Sequence, residues 1–230
     1  MKDMDSLPST PQQFEKPVPP SGPVTSLRRF AQPRPSVEHC DLCGTELGSE
    51  HHHLMEPTSR RLLCACQPCA ILFPGQQKTK YRRVPQRIRF LPDLRLSDTQ
   101  WEALMIPINM AFFFQSSQTG KVVALYPSPA GAMESLLPLE SWEEIVRVNP
   151  VLNGMEADVE ALLVNRVSRL QRATAHEYFL APIDQCYKLV GLIRAHWRGL
   201  SGGTEMWEHA ERFFAHLKER SGYRKEVCRD

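Results

Sequence analysis

The chain lacks several features that would sort it quickly. It has no apolar stretch long enough to cross a bilayer. The longest, residues 104–114, is interrupted by Pro107 and Asn109 and is half the roughly twenty residues a membrane helix needs. It has no marked excess of charge: 28 basic against 26 acidic side chains leave +2, which argues against a dedicated nucleic-acid binder while permitting a local basic patch. Its first residues carry Lys2, Asp3 and Asp5 ahead of prolines, with no apolar core of a secretory signal, so a cytoplasmic, reducing location is expected. Thiols there serve metals or redox chemistry more often than disulfides. Aromatics are sparse at 8%, but 42% of the residues are apolar and 23% charged over 230 positions, a balance that fits a folded chain of one or two domains.

What the chain does have is unevenly placed. Eight of its 19 prolines fall in residues 1–38 with Ser and Gln around them; that composition predicts a mobile, partly extended tail. Five of the seven cysteines lie between positions 40 and 69. Residues 60–95 hold nine Lys or Arg against Asp93, while residues 134–160 hold seven acids against Arg147, so the two stretches can face each other. The expected organisation is therefore a tail over 1–38, a Cys/His module over 39–75 and a body over 76–230.

The body reads as α+β. Ser97 or Asp98 begins a short helix, 142–148 a second, and 157–170 a third. Residues 108–114 and 121–126 read as a strand pair turning through Gly120. Cys186, Leu189, Val190, Ile193 and Trp197, then Met206, Ala210, Phe213, Phe214 and Leu217, repeat at helical spacing on either side of Gly199, Gly202 and Gly203. That pattern predicts a C-terminal helical hairpin with Cys186 in its core. His176, Glu177 and Asp184 near Cys186 match no local catalytic signature, and the glycines before the last helix read as a hinge or cap.

The chemistry is concentrated in the module. Cys40-Asp-Leu-Cys43-Gly44 and Cys66-Gln-Pro-Cys69 are two knuckles, and two residues between thiols let both sulfurs reach one ion while backbone N–H groups point at them. The interval between knuckles is long enough for a hairpin. A segment this short cannot bury enough apolar surface to fold alone, and a tetrahedral ion supplies the missing stability. Cys40, Cys43, Cys66 and Cys69 are therefore the candidate ligands, with zinc the leading metal and an iron–sulfur cluster the alternative. Cys64 lies two residues before Cys66, and His51 and His53 share a strand face. These three are candidate secondary ligands, for a second ion or a reactive site, set against a plainer reading as a packed thiol and a solvated loop. The basic stretch with Arg82, Arg83, Arg87 and Arg89 has only Tyr81 and Phe90 as aromatics, thin for base stacking.

Cys-Asp-Leu-Cys-Gly at 40–44, His-x-His at 51–53, Leu-Leu-Cys-Ala-Cys-Gln-Pro-Cys-Ala at 62–70, Ala-Leu-Tyr-Pro-Ser-Pro-Ala-Gly-Ala at 124–132, Pro-Ile-Asp-Gln-Cys-Tyr at 182–187 and Trp-Arg-Gly-Leu-Ser-Gly-Gly-Thr-Glu at 197–205 resemble an uncharacterised bacterial family. The likeness covers about residues 38–220. The family's genes tend to lie beside those of nickel–iron hydrogenases and iron–sulfur assembly proteins, so the resemblance implies a metalloenzyme accessory protein with hydrogenase subunits or maturation proteins as partners. It supplies no catalytic residues. A zinc-ribbon nucleic-acid-binding or regulatory protein is the alternative, and an enzyme built on the five-cysteine site is a third class.

Overall fold

Two antiparallel sheets organise the computed structural model, which describes residues 37–74, 80–135, 142–167, 176–199 and 201–223. All of these belong to one unit, Val37–Asp230. Apart from its last two residues, the expected Pro-rich tail lies outside the described residues. So do residues 168–170, the end of the expected third helix.

The smaller sheet is built from β1 (His52–Glu56), β2 (Arg61–Ala65) and, after helix α1 (Gln67–Leu72), the two-residue strand β3 (Arg82–Arg83), in the order β2-β1-β3. The hairpin between the knuckles is thus present, and its third strand comes from beyond residue 75. β4 (Arg89–Phe90) then opens the larger sheet, and helix α2 (Asp98–Ala103) follows. Ser97 caps α2: its Oγ accepts from the Gln100 N–H at 3.1 Å while Gln100 Oε1 accepts from the Ser97 N–H at 3.0 Å, satisfying two otherwise orphaned donors.

β5 (Met110–Gln115), β6 (Val122–Ser128) and β7 (Gly131–Glu134) form a meander. Gly120 turns the first pair at φ +65°. Helix α3 (Trp142–Val148) and a 3-10 turn (Pro150–Gly154) lead into β8 (Glu160–Asn165) and β9 (Glu177–Pro182). The sheet order is β4-β9-β8-β5-β6-β7. Helices α4 (Ile183–His196) and α5 (Gly203–Arg220) close the described chain as the expected C-terminal pair. Gly202 stands at the N-cap of α5 with φ +87°, and a Cβ there would collide with Met206.

Residues 160–165 form a central strand where the sequence predicts a helix. Ala161 and Leu163 face the layer containing α4 and α5, whereas Leu162 and Val164 face the layer containing α2 and α3. A strand buried on both faces has a continuous apolar run, which hides the period-2 signal that separates strand from helix. The same holds for β5, whose Phe112 and Phe114 point one way and Phe113 the other. The body is thus three layers, helices on both sides of the larger sheet.

The oppositely charged stretches do meet. Arg82 Nη1 donates to Asp158 Oδ2 at 2.9 Å and Arg87 Nε to Glu160 Oε1 at 3.1 Å. The acidic partners are almost fully buried, at 4% and 1% side-chain exposure. Asp158 also accepts from the Ser117 N–H, and Glu160 from the Glu156 N–H. Arg60 pairs with Glu134 at 2.7 Å.

Candidate metal centre

The first knuckle is a tight turn closed by backbone hydrogen bonds. The Gly44 N–H donates to Cys40 O and the Cys40 N–H to Thr45 O, both at 2.8 Å, and a bridge between His39 and Glu46 joins the flanks. The second knuckle is a helix start. Cys66 caps α1, the Ala70 N–H donates to Cys66 O at 2.9 Å, and Pro68 occupies the first turn, where its missing N–H costs nothing. Together they bring the thiols of Cys40, Cys43, Cys66 and Cys69 within 4.8 Å of one another. Cys43 and Cys66 are 3.6 Å apart, close to the ~3.8 Å edge of a tetrahedron with metal–sulfur bonds near 2.3 Å.

The electrostatics suit a cation. Hydrogen bonds from the Thr45 side chain and backbone, with smaller contributions from the Cys40 and Cys66 thiols, lower Cys43 to about 6. Burial opposes ionisation of Cys40, but the backbone N–H groups of Cys66, Leu42 and Cys43 outweigh it and hold that thiol below its ordinary value. Cys69 is pushed up, first by burial and then by the three neighbouring sulfurs. Four adjacent thiols cannot all ionise without a positive charge among them, and a bound metal ion provides it. The residues fit a four-thiolate ion.

Cys64 does not join this cluster, although alternation along a strand places it on the same face as Cys66. β2 ends at Ala65 and Cys66 already caps a helix, so the pleat no longer fixes where the Cys66 sulfur goes. Cys64 groups instead with His51 and His53, and the three donor atoms lie within 4.8 Å. The strand register accounts for this: His53 is directly opposite Cys64. The Cys64 N–H donates to Asp41 Oδ2 at 2.7 Å and Cys64 O accepts from the Asp41 N–H at 2.9 Å. Cys64 therefore turns its backbone away from β1, making His53 and Cys64 a non-hydrogen-bonded pair, the kind with the closest side chains. Burial, and then the charges of Glu38, Asp41 and Cys40, raise the Cys64 thiol.

This group lines a cleft of about 470 Å³ between the small sheet and α4. His53 Nδ1 donates to Asp184 Oδ2 at 3.0 Å, and Asp184 Oδ1 accepts from the Gln185 N–H at 2.8 Å. Asp184 had no assigned role in the sequence; its partner is 131 positions away, and no local pattern signals the pairing. Its sequence neighbours go elsewhere. His176 lies 3.3 Å from Arg166 Nη2, Glu177 accepts from Lys218, and Cys186 is fully buried in the core. A third group, His196, Glu205 and His209, also brings its donor atoms within 4.8 Å. It forms across the α4–α5 turn, with the imidazole rings stacked at 3.7 Å.

The fold is α+β, and its four close cysteines could form a zinc-ribbon-like module. The chain belongs to a family of unknown function (DUF5947), whose model matches residues 39–221. No curated protein and no solved structure matches it. Among the described residues, no helix is long and apolar enough to cross a membrane.

Proposed function

We propose that this is a zinc-binding accessory protein that supports a metalloenzyme through protein–protein contact. The observation that carries the metal reading is the spacing of the Cys40, Cys43, Cys66 and Cys69 thiols. It suits a single tetrahedral ion; a multi-iron cluster would hold its thiolates farther apart, because the inorganic core lies between them. Zinc is structural in this reading, since all four positions are filled by protein.

The contact reading draws on two features. Ile71 and Leu72, on the helix that carries Cys69, are each 60% exposed, a small apolar surface of the sort partners cover. Arg82 and Arg87 are engaged by buried carboxylates, which favours protein contact over the nucleic-acid alternative. The resemblance to a family encoded beside nickel–iron hydrogenase genes makes a hydrogenase subunit or maturation protein the first partner to test.

Anaerobically purified protein should carry zinc at the four-thiol site, lose it in Cys40→Ser, and show no charge-transfer colour. It should capture hydrogenase components, and Ile71→Asp with Leu72→Asp should abolish the capture. A coloured, redox-active iron centre would overturn the zinc assignment. Tight nucleic-acid binding at near-physiological salt, lost when Arg82, Arg83, Arg87 and Arg89 are replaced, would overturn the accessory role.

A further inference from the structure

The geometry points to a second metal site, distinct from the four-thiol cluster, in which His51, His53 and Cys64 bind a divalent ion of the zinc, cobalt and nickel group and leave one coordination position open to the cleft. It uses none of the four-thiol donors, so it stands apart from the structural zinc proposed above.

Hydrogen bonding fixes which nitrogens are available. His51 Nδ1 faces Gly48 O at 3.1 Å; a carbonyl can only accept, so Nδ1 carries the proton and Nε2 a lone pair. That Nε2 is buried with no hydrogen-bond partner, on a side chain only 8% exposed. An unpaired buried acceptor is costly unless something fills it. His53 Nδ1 faces the Asp184 carboxylate, which again places the proton on Nδ1 and the lone pair on Nε2. A carboxylate behind one imidazole and a carbonyl behind the other is how metal-binding histidines are oriented. Asp184 is thus a positioning residue, itself held by the Gln185 N–H at the start of α4.

Cys64 adds a sulfur directly across the strand pair from His53. Two imidazoles and a thiolate form a borderline-soft donor set, which favours late first-row divalent ions over magnesium or calcium. One nitrogen from each histidine and the Cys64 sulfur lie within 4.8 Å of one another, and an ion with bonds of ~2.0–2.3 Å would draw its donors to a separation of ~3.5 Å. Three protein ligands leave a fourth position, and the 470 Å³ cleft provides space for water or an incoming donor there. The four-thiol cluster has no such vacancy among its donors, so the module combines a closed site with an open one.

The test is cobalt(II) titration of the full-length protein with zinc retained at the four-thiol cluster, read by visible absorption and by metal counting in native mass spectrometry. The expected result is one additional cobalt per chain, with four-coordinate d–d bands and thiolate charge transfer from a single sulfur. Cys64→Ser should remove the charge-transfer band, and Asp184→Asn should weaken cobalt binding about 10- to 100-fold; both should keep their zinc. Asp184→Asn touches no donor atom, so it reports on His53 orientation even if Cys64→Ser folds poorly. Failure to take up a second metal would overturn the site, as would cobalt bands unaffected by Cys64→Ser. A missing zinc with normal cobalt uptake would instead count against the structural site alone.

Discussion

The region around the four thiols and the large sheet bury very different cores. Among the described residues, the module's buried cluster is Cys40, Leu54, Leu63, Ala65, Cys69 and Ala70. Two of those six are candidate ligands, and two are alanines. The body has buried clusters on both faces of its large sheet, with Phe112, Phe179 and Phe214 on one side and Trp101, Phe113 and Trp142 on the other. Where apolar area is plentiful, burial can carry the fold. Where it is scarce, coordination must take over.

The sharpest break in that comparison is loss of the metal. Cys69→Ser, or a strong chelator, should collapse the module while β5 and β8 persist. Hydrogen exchange should show protection lost over residues 39–74 and kept in the central strands; uniform loss would mean the two regions fold as one. The converse is a cavity in the body. Phe112, fully buried, should cost about 3–5 kcal/mol when replaced by Ala, measured by denaturant unfolding, with metal content unchanged.

A smaller effect should come from the charged contact linking the stretch before β4 to β8. Arg87→Ala leaves the buried Glu160 carboxylate, among the described residues, with the Glu156 N–H alone and should lower the denaturant midpoint by less than Phe112→Ala does. Glu160→Gln should cost less, because the uncompensated charge goes with it. The smallest effect is a pH dependence confined to the body. Burial, with help from the Arg166 charge, lowers the His176 pKa below its ordinary value. The neutral ring therefore contributes stability above about pH 6.5, and that share is lost as pH falls through the lowered folded value. His176→Gln should flatten that part of the stability curve and leave zinc affinity unaltered.

The regions also differ in how legible they were. Knuckle spacing is a local property of the chain, so the four thiols could be read directly. The C-terminal helices follow from their apolar repeat, whereas His51 stands one residue before β1 and is held beside His53 with its ring against Gly48 O. The limits arose where position depends on distant partners. Residues 160–165 became a strand because both faces are covered by layers remote in sequence. Cys64 and Cys66 parted because β2 ends between them and Cys66 stands at the cap of α1. Asp184 reached His53 only through the packing of α4 against the small sheet. The group His196, Glu205 and His209 needed the helix pair to close before it existed.

The hydrogen bonds between Asp41 and Cys64 have one further consequence. β2 is an edge strand of the small sheet, and at Cys64 both of its outward backbone groups are occupied by Asp41. The first knuckle therefore works as a stopper on a strand edge. If that knuckle loosens, an N–H and a carbonyl come free in the middle of β2, the feature on which another chain can build a ladder. Demetallated protein should accordingly gain particle size with concentration, making light scattering an early measure of metal loss.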